Sequence, residues 1–339
     1  MPTSPQVILH LTDLHFGSDR DINDRNLRAA SQRTLLATLA EMPAGWKPTI
    51  ICLSGDIGWH GTEADYGLAK SWLDELLACC ELDYSRVLIA AGNHDIIRDV
   101  ASYSPRPTNW SDADQALRLP IGRTYKEAFE NYTQFCVQAG IPPMRFHGED
   151  SWLVGERLVD DIRFVTINSS WFCRDGDDRG KLWMGLPQLR DLETQGQLGF
   201  IENPATPLTI ALVHHPADWL HESERLTYDG GRPNTRDFLA KRSHLILTGH
   251  THARLAHPDR LARAAYHFPG AAAYAGGAHP NGFRLIRLAP EQFEYRSYEY
   301  DAGADRPTWR QFDEEAVDRQ ALPRLTVEAD EEQKKKLAH

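Results

Sequence analysis

The chain has 339 residues, of which 41% are hydrophobic and 25% are charged. These fractions are typical of globular proteins, so they exclude wholesale disorder and fibrous repeats. The formal net charge is −11, from 37 basic and 48 acidic side chains, which excludes a protein that binds nucleic acid or a membrane over its whole surface.

The cysteine pattern points to a reducing compartment. The five cysteines are odd in number, and none lies in a CxxC pair. We therefore expect free thiols in a cytoplasmic protein, and neither a disulfide frame nor a thiolate metal site. No run of about 18 apolar residues occurs and the first residues are polar, so we expect neither a membrane span nor a secretory signal.

The first part of the chain alternates short apolar runs with amphipathic stretches of helical length. The predicted strands are Val7–Leu11, Thr49–Leu53 and Arg86–Ala91, and the helices between them are Asn26–Glu41 and Thr62–Cys80. Thr62 is a candidate N-cap, with Asp65 three residues later completing a weak capping box. This alternation predicts βαβ units and a mostly parallel sheet covered on both faces.

The next segment, Asp99–Pro120, interrupts this pattern, because its prolines and small polar residues predict a long surface loop. Beyond it, we predict helices at Arg123–Ala139 and Pro187–Leu198, and strands at Trp152–Leu158, Asp161–Ile167, Leu208–Val213, His244–Thr248, Tyr266–Pro269, Phe283–Leu288 and Phe293–Tyr298. The last two strands form a predicted hairpin around Pro290. We expect one domain over residues 1–302 and a polar, charged helix or tail over residues 303–339.

Polar motifs follow five of the predicted strands directly. They are Asp13-Leu14-His15, Gly55-Asp56, Gly92-Asn93-His94-Asp95, His214-His215 and Gly249-His250-Thr251-His252. Ligand sites in open α/β sheets form outside the carboxyl ends of strands, so we expect the five motifs to meet at one rim.

The residue types in these motifs are those that bind divalent metal ions. Imidazole, carboxylate and amide oxygen favour Mn, Fe, Zn or similar ions. Asp13 and His15 are two residues apart, as are His250 and His252, so both members of each pair lie on one face of an extended segment. Seven candidate ligands are too many for one tetrahedral ion, and they suit two ions that share a carboxylate.

Together and in this order, the motifs resemble the pattern of the calcineurin-like metallophosphoesterase superfamily, over roughly residues 6–300. The stretches Leu11–Gly17 and Gly58–Leu73 look most like bacterial members of its small phosphodiesterase branch. The resemblance implies an α/β fold, a four-layer α/β/β/α sandwich of the metallophosphoesterase type, with a centre of two divalent metal ions.

The resemblance also implies a role for each motif residue. By position, Asp13, His15, Asp56 and His252 resemble the ligands of the first ion, and Asp56, Asn93, His214 and His250 resemble those of the second, with Asp56 bridging. His94 resembles the catalytic histidine that faces the substrate. Asp95 matches the acid that supports this histidine in the family.

The activity implied is hydrolysis of a phosphodiester by a hydroxide that bridges the two ions, assisted by His94. We expect a small, cyclic or other nucleotide as the substrate. A nuclease acting on DNA or RNA and a phosphomonoesterase are alternatives, because the superfamily includes them with the same ligands. A non-catalytic scaffold is disfavoured, because no ligand of the pattern is missing.

Three further residues are candidate substrate contacts. His215 follows His214, in a His-His-Pro turn whose first histidine is the ligand in the family, and it lies either near the site or packed behind it. His60 lies in Ile57–Gly61, where many members carry another acid, and it is either a contact or a rim residue. Arg254 belongs to the stretch Arg225–Arg263, where eight bases against three acids predict some basic side chains near the metal rim. The tryptophans, including Trp59, Trp171 and Trp183, are expected to be packing residues, with the alternative that one of them stacks on a nucleobase near the site.

Overall fold

The structure is a computed structural model that describes residues 6–174, 176–226, 231–262, 265–276, 279–289 and 292–318. Within these residues the strands are β1 (Gln6–Leu11), β2 (Ile50–Leu53), β3 (Val87–Ile89), β4 (Met144–Phe146), β5 (Glu149–Ser151), β6 (Gly155–Val159), β7 (Ile162–Ile167), β8 (Leu208–Val213), β9 (Leu245–Thr248), β10 (Asp259–Ala262), β11 (Ala265–Pro269), β12 (Gly282–Leu288), β13 (Gln292–Asp301) and β14 (Thr308–Asp318). The α-helices are α1 (Ile22–Ala40), α2 (Glu63–Cys80), α3 (Arg98–Ser102), α4 (Trp110–Ala116), α5 (Arg123–Glu127), α6 (Glu130–Ala139), α7 (Leu186–Thr194), α8 (Glu222–Arg225) and α9 (Thr235–Ala240).

The strands form two mixed sheets. The first has the order β14-β13-β12-β1-β2-β3, and the second has the order β10-β11-β9-β8-β7-β6-β4-β5. Strands β1, β2 and β3 are parallel neighbours, as are β7, β8, β9 and β11, while the remaining pairs are antiparallel. The prediction of one mostly parallel sheet is therefore wrong, but the strands that carry the motifs do lie in the parallel parts of the two sheets.

The two sheets face each other and helices cover their outer faces, which confirms the four-layer α/β/β/α sandwich. Ile8 and Ile50 of the first sheet share an apolar cluster with Phe164 and Ile210 of the second. The alternate residues of β1, such as Leu9, instead join the cluster that contains the helices. A strand buried on both faces is mostly apolar, and β1 has apolar residues at four of its six positions, the exceptions being Gln6 and His10.

Helix α2 begins as the sequence predicts. The Thr62 hydroxyl oxygen accepts from the Asp65 N–H at 3.2 Å, and an Asp65 carboxylate oxygen accepts from the Thr62 N–H at 3.3 Å. The reciprocal capping box satisfies two N–H groups that the helix itself leaves unpaired. The same carboxylate also accepts from the His60 N–H at 2.8 Å, so the cap holds the end of the loop that carries Asp56.

The predicted loop over Asp99–Pro120 is wrong in part, because α3 and α4 lie within it. The Asn109 side chain caps α4 by accepting from the Asp112 N–H. Asp114 on α4 forms a buried, two-pronged ion pair with Arg232 at 2.9 and 3.1 Å. This pair lies 118 residues apart in the sequence, so local composition could not predict it. The single predicted helix over Arg123–Ala139 is also wrong, since it is divided into α5 and α6.

The segment after Asp301 also differs from its prediction of a helix or tail. Residues 308–318 form β14, which pairs with β13 and extends the first sheet past residue 302. Trp309 anchors this strand: it is buried, packs against Phe283, and its Nε1 donates to the Ser31 carbonyl at 3.0 Å. Residues 319–339 of the predicted tail, and Pro290 of the predicted hairpin turn, lie outside the described residues. No helix among the described residues is long and apolar enough to cross a membrane.

Candidate metal centre

The pairing of β1 with β2 continues past the strand ends, into the residues of the first two motifs. The N–H groups of Asp13, His15 and Phe16 donate to the carbonyls of Gly55, Asp56 and Ile57, each at 3.0 Å. The motif residues of these two loops are therefore held by main-chain bonds. Their positions follow from the parallel sheet rather than from the side chains themselves.

Five of the seven predicted ligands have left-handed backbone conformations. Their φ angles are 53° at Asp13, 48° at His15, 55° at Asp56, 76° at His250 and 47° at His252. Residues other than glycine adopt this region at a cost of about 1 kcal/mol or more, and they do so mainly at functional sites. The neighbouring glycines allow close approach: a Cβ at Gly92 would overlap the Asp56 carboxylate.

The first group of candidate ligands is Asp13, His15, Asp56 and His252, whose ligand atoms all lie within 4.8 Å of one another. His15 Nε2 lies 3.3 Å from Asp56 Oδ2, and His252 Nε2 lies 3.0 Å from Asp13 Oδ1. Three of the four side chains are buried, and His252 is partly buried. Burial would raise the pKa of Asp13, but the hydrogen bond from His252 and the nearby His214 hold that pKa below its usual value.

The second group is built around His214. Its Nε2 lies 3.1 Å from Asn93 Oδ1, 3.3 Å from Asp56 Oδ2 and 3.3 Å from His250 Nδ1. Its Nδ1 lies 2.8 Å from the Ser54 carbonyl, which can only accept a hydrogen bond, so Nδ1 carries a proton. The Nε2 lone pair of the neutral ring is then left among three other ligand atoms, and this donor set suits a cation.

Asp56 belongs to both groups through the same oxygen. Its Oδ2 lies 3.3 Å from His15 Nε2 and 3.3 Å from His214 Nε2, while its Oδ1 accepts from the His94 N–H at 2.8 Å. Burial lowers the pKa of His214, but Asp56 outweighs it and the pKa rises to about 9.

His94 lies beside these groups without belonging to either. Its Nδ1 lies 2.8 Å from the Trp59 carbonyl oxygen. Its ring stacks on the Trp59 indole, with the ring centroids 4.2 Å apart and an interplanar angle of 16°. The exposed Arg98 places a guanidinium nitrogen 3.4 Å from the same Nδ1. Burial lowers the pKa of His94, and Asp56 opposes this effect.

Asp95 is central to the site, but it does not hold His94 as the resemblance implied. Its carboxylate accepts from the N–H groups of Ile57 and Gly58 at 3.1 Å each and of Gly92 at 2.8 Å. Burial, followed by repulsion from Asp56, raises its pKa to about 7, against the effect of these donors. Asp95 therefore ties the loop after β2 to the loop after β3, and the Trp59 carbonyl takes the predicted place beside His94.

His214 and His215 both lie close to His250, and the ligand atoms of the three histidines lie within 4.8 Å of one another. His215 is 1% exposed, its Nδ1 lies 2.9 Å from Ser169 Oγ, and its ring packs on that of His250, with the ring centroids 4.4 Å apart. It is packed behind the site, which is one of its two expected positions, and its contact with a substrate stays a prediction. His60 is 61% exposed on the rim, and its contact with a substrate stays a prediction.

Three arginines of the basic stretch form ion pairs with acids. Arg232 binds Asp114, Arg242 binds Glu193, and Arg254 binds Glu299 at 2.9 Å. Arg254 also lies over the Phe312 ring. Arg263 lies outside the described residues.

A cleft of about 350 Å³ opens beside the first group of ligands. Its lining includes His15, His252 and Trp59. Its charged residues are already paired: Asp19 binds Arg28 at 2.8 Å, and Asp24 binds Arg20 at 3.0 Å. The cleft is therefore small and polar. Among these residues, it has no cluster of unpaired acidic or basic side chains.

Three residues that support the site belong to no motif. Trp59 holds His94, Trp219 lies against the His250 ring at 3.9 Å, and Arg28 binds the loop that carries His15. Trp59 packs, as expected of the tryptophans, but its packing partner is the predicted catalytic histidine. Its position in Ile57–Gly61, where the chain departs from the family pattern, was the one available signal.

The two groups of ligands define a candidate metal site on an α/β/β/α sandwich. The sequence model of the family described as Calcineurin-like phosphoesterase matches residues 7–254. The chain therefore belongs to this phosphoesterase family. No curated protein matches the chain in sequence.

Solved structures similar to this chain come from several organisms. A dimetal phosphatase from Danio rerio is 13% identical, with 93% of this chain and 99% of that chain covered and a TM-score of 0.48. The calcineurin-like phosphoesterase YfkN from Bacillus subtilis is 13% identical, with 94% and 91% covered and a TM-score of 0.40. Vps29 from Chaetomium thermophilum is 10% identical, with 93% and 100% covered and a TM-score of 0.37. At these TM-scores the similarities carry no conclusion about activity.

Proposed function

We propose that the chain is a phosphodiesterase that uses two divalent metal ions to hydrolyse a small nucleotide. The observation that carries this proposal is the shared oxygen of Asp56, which lies 3.3 Å from a histidine of each ligand group. One carboxylate oxygen between two sets of donors is the arrangement that a pair of closely spaced ions requires.

The ligand sets follow from the two groups. Asp13, His15, Asp56 and His252 would hold the first ion, and Asp56, Asn93, His214 and His250 would hold the second. Imidazole, carboxylate and amide donors without thiolate suit Mn, Fe or Zn. When bound, such a pair supplies a Lewis acid for the phosphoryl oxygens and an activated water.

The chain's own residues would orient the substrate and donate the proton that the leaving oxygen needs. With Nδ1 directed at the Trp59 carbonyl, His94 presents Nε2 to the substrate, where it can stabilise charge or donate a proton to the leaving oxygen. Asp95 fixes the two loops that carry Asp56 and Asn93 through three main-chain N–H groups. The left-handed residues keep the ligands in place before any ion binds.

The small-nucleotide substrate is supported by size and charge. The cleft beside His15 and His252 measures about 350 Å³, which suits one nucleotide better than a polymer. A polynucleotide would need several unpaired basic side chains to bind its phosphates. Three arginines of the basic stretch, Arg232, Arg242 and Arg254, instead form ion pairs with acids. The five free cysteines support a reducing, cytoplasmic compartment as part of the same proposal.

The test is metal analysis of the purified protein, followed by a substrate panel. Two ions per chain and turnover of a cyclic nucleotide or a chromogenic diester are expected. The panel also contains DNA, RNA and phosphomonoesters, so preferred cleavage of any of these would replace the small-diester proposal. A chain that binds two ions but turns over no phosphoester would show that the fold serves another purpose.

A further inference from the structure

We infer that Trp59 is a positioning residue, which fixes the orientation of His94 through both its main chain and its side chain. The inference rests on the proposed function, in which His94 acts on the substrate. It assigns a role to a residue outside every metal-binding motif.

The main-chain contact sets which nitrogen of His94 faces the substrate. A carbonyl oxygen only accepts hydrogen bonds, and the Trp59 carbonyl lies 2.8 Å from Nδ1 of His94. The Arg98 guanidinium, which can only donate, lies farther from the same nitrogen, at 3.4 Å, so the shorter contact with the carbonyl decides its role. Nδ1 therefore carries a proton in every protonation state of the ring that keeps this bond. Nε2 is then the nitrogen available to the substrate, as donor or acceptor.

The side-chain contact sets the plane of the ring. The Trp59 indole stacks on the His94 ring, with the ring centroids 4.2 Å apart and an interplanar angle of 16°. The ring of His15 contacts both rings edge-on, and its centroid lies 5.0 Å from that of Trp59 and 5.1 Å from that of His94. Turning the His94 ring would break the stack and the hydrogen bond together. Two contacts from one residue thus restrict the two torsions that aim Nε2.

Trp59 is itself held independently of its side chain. Its N–H donates to the Phe16 carbonyl at 2.9 Å, and Phe16 pairs with Gly58 in a parallel bridge. Removing the indole should therefore leave the carbonyl of residue 59 in place. A substitution at this position isolates the effect of the stack.

A tilted His94 ring should impair proton donation more than binding. In this step, the imidazolium form of His94, protonated on both nitrogens, gives its Nε2 proton to the leaving oxygen as the phosphorus–oxygen bond breaks; the neutral ring keeps its Nδ1 proton and regains the other from solvent after release. A leaving group that is a weak base needs no such proton. The cost of misplacing His94 should therefore depend on the leaving group.

The experiment compares Trp59→Ala and Trp59→Phe on two diesters, one losing p-nitrophenolate and one losing an alkoxide. We expect Trp59→Ala to lower kcat roughly tenfold for the alkoxide diester, with less than about a twofold change for the aryl diester. Trp59→Phe should restore most of the loss, since it keeps an aromatic face. Trp110→Ala, which removes an exposed tryptophan of α4, is the matched control.

A double-variant cycle separates positioning from general damage. If Trp59 acts through His94, Trp59→Ala combined with His94→Ala should be no slower than His94→Ala alone on the alkoxide diester. Equal losses on both diesters, or losses that multiply in the double variant, would overturn the inference.

A measurement without substrate distinguishes this inference from the proposed function. Nitrogen-15 NMR of the histidine side chains should show His94 protonated at Nδ1 in both the wild type and Trp59→Ala, because the variant keeps the carbonyl of residue 59. Crystal structures should show the His94 ring in one orientation in the wild type, and rotated or in several orientations in Trp59→Ala, which lacks the stack. An unchanged ring orientation in that variant would contradict the role of the indole, even in an active enzyme. A wild type without diesterase activity would instead refute the proposed function, while the ring orientation would still decide whether Trp59 orients His94.

Discussion

The Arg28 guanidinium donates a 2.9 Å hydrogen bond to the carbonyl oxygen of His15, a proposed ligand of the first ion. It also donates to the Leu14 carbonyl at 2.6 Å and to Ser18 Oγ at 2.7 Å, and it pairs with Asp19 at 2.8 Å. The loop after β1 is thus held in its left-handed conformation by one buried side chain of α1, which is 5% exposed.

We expect Arg28→Ala to destabilise the fold by about 2–4 kcal/mol, because it leaves two carbonyls and a shielded carboxylate without their donor. Affinity for the first ion should fall as well, since His15 and Asp13 lose their fixed loop. Urea unfolding and metal titration measure the two effects. Arg20→Ala, which removes an exposed arginine that pairs with Asp24, should change neither measurably.

Asp56→Asn tests the shared oxygen directly. Since Oδ2 faces both His15 and His214, we expect the variant to lose occupancy at both ion positions and to abolish turnover. Elemental analysis and the diester assay are carried out on the same preparation. Asp150→Asn, an exposed carboxylate on β5, serves as the control for charge removal. Wild-type activity with both ions retained in Asp56→Asn would exclude a bridging role.

The sequence could predict the site's ligands because they lie directly after strands. Asp13, Asp56 and His250 each follow a short apolar run, and parallel strands bring such residues to one edge. The identity of each ion's ligands came from the family resemblance. The two sheets could not be derived from strand patterns alone, because the pairing of β1 with β12 joins residues far apart in the chain.

Long-range contacts account for most of what the sequence did not reveal. The role of Trp59 depends on where His94 lies, and the role of Arg28 depends on the path of the loop after β1. The ion pair of Arg232 could not be predicted either, since its partner Asp114 lies in a distant segment. The many charged residues of β14 predict no strand. Its pairing with β13 and the burial of Trp309 stabilise it as one.

His10 should make stability depend on pH. It is buried on β1, its Nε2 lies 2.8 Å from Ser54 Oγ, and burial followed by the nearby Arg284 lowers its pKa from 6.5 to about 3. Between these values the unfolded chain binds a proton that the folded chain does not, so stability falls as the pH falls. The contribution of His10 is at most about 1.4 kcal/mol per pH unit.

His10→Gln keeps a donor for Ser54 but cannot titrate in this range. We therefore expect the free energy of unfolding to fall less steeply in the variant than in the wild type between about pH 6.5 and pH 4. Urea unfolding of both metal-free proteins at several pH values measures the difference. Parallel curves would show that His10 does not carry this dependence.

The salt dependence of turnover distinguishes a small diester from a polynucleotide. Binding that neutralises several phosphates weakens steeply with salt, by a log–log slope near −0.9 per contact on duplex DNA. Near His94, the described basic side chain closest to the ring's Nδ1 is Arg98, at 3.4 Å, whereas Arg254 is held by Glu299. We expect a slope that corresponds to at most about two contacts for the true substrate.

Arg98 and Arg254 form a matched pair of exposed arginines for this test. Arg98→Ala should raise KM severalfold with a smaller loss in kcat, because its charge attracts the substrate without entering the bond-breaking step. Arg254→Ala should leave both constants close to the wild type, since its charge is already balanced by Glu299. Steady-state kinetics at increasing salt measure all three proteins. A steep slope together with efficient cleavage of DNA or RNA would favour the nuclease alternative, and a larger effect of Arg254→Ala would place the substrate nearer to Glu299.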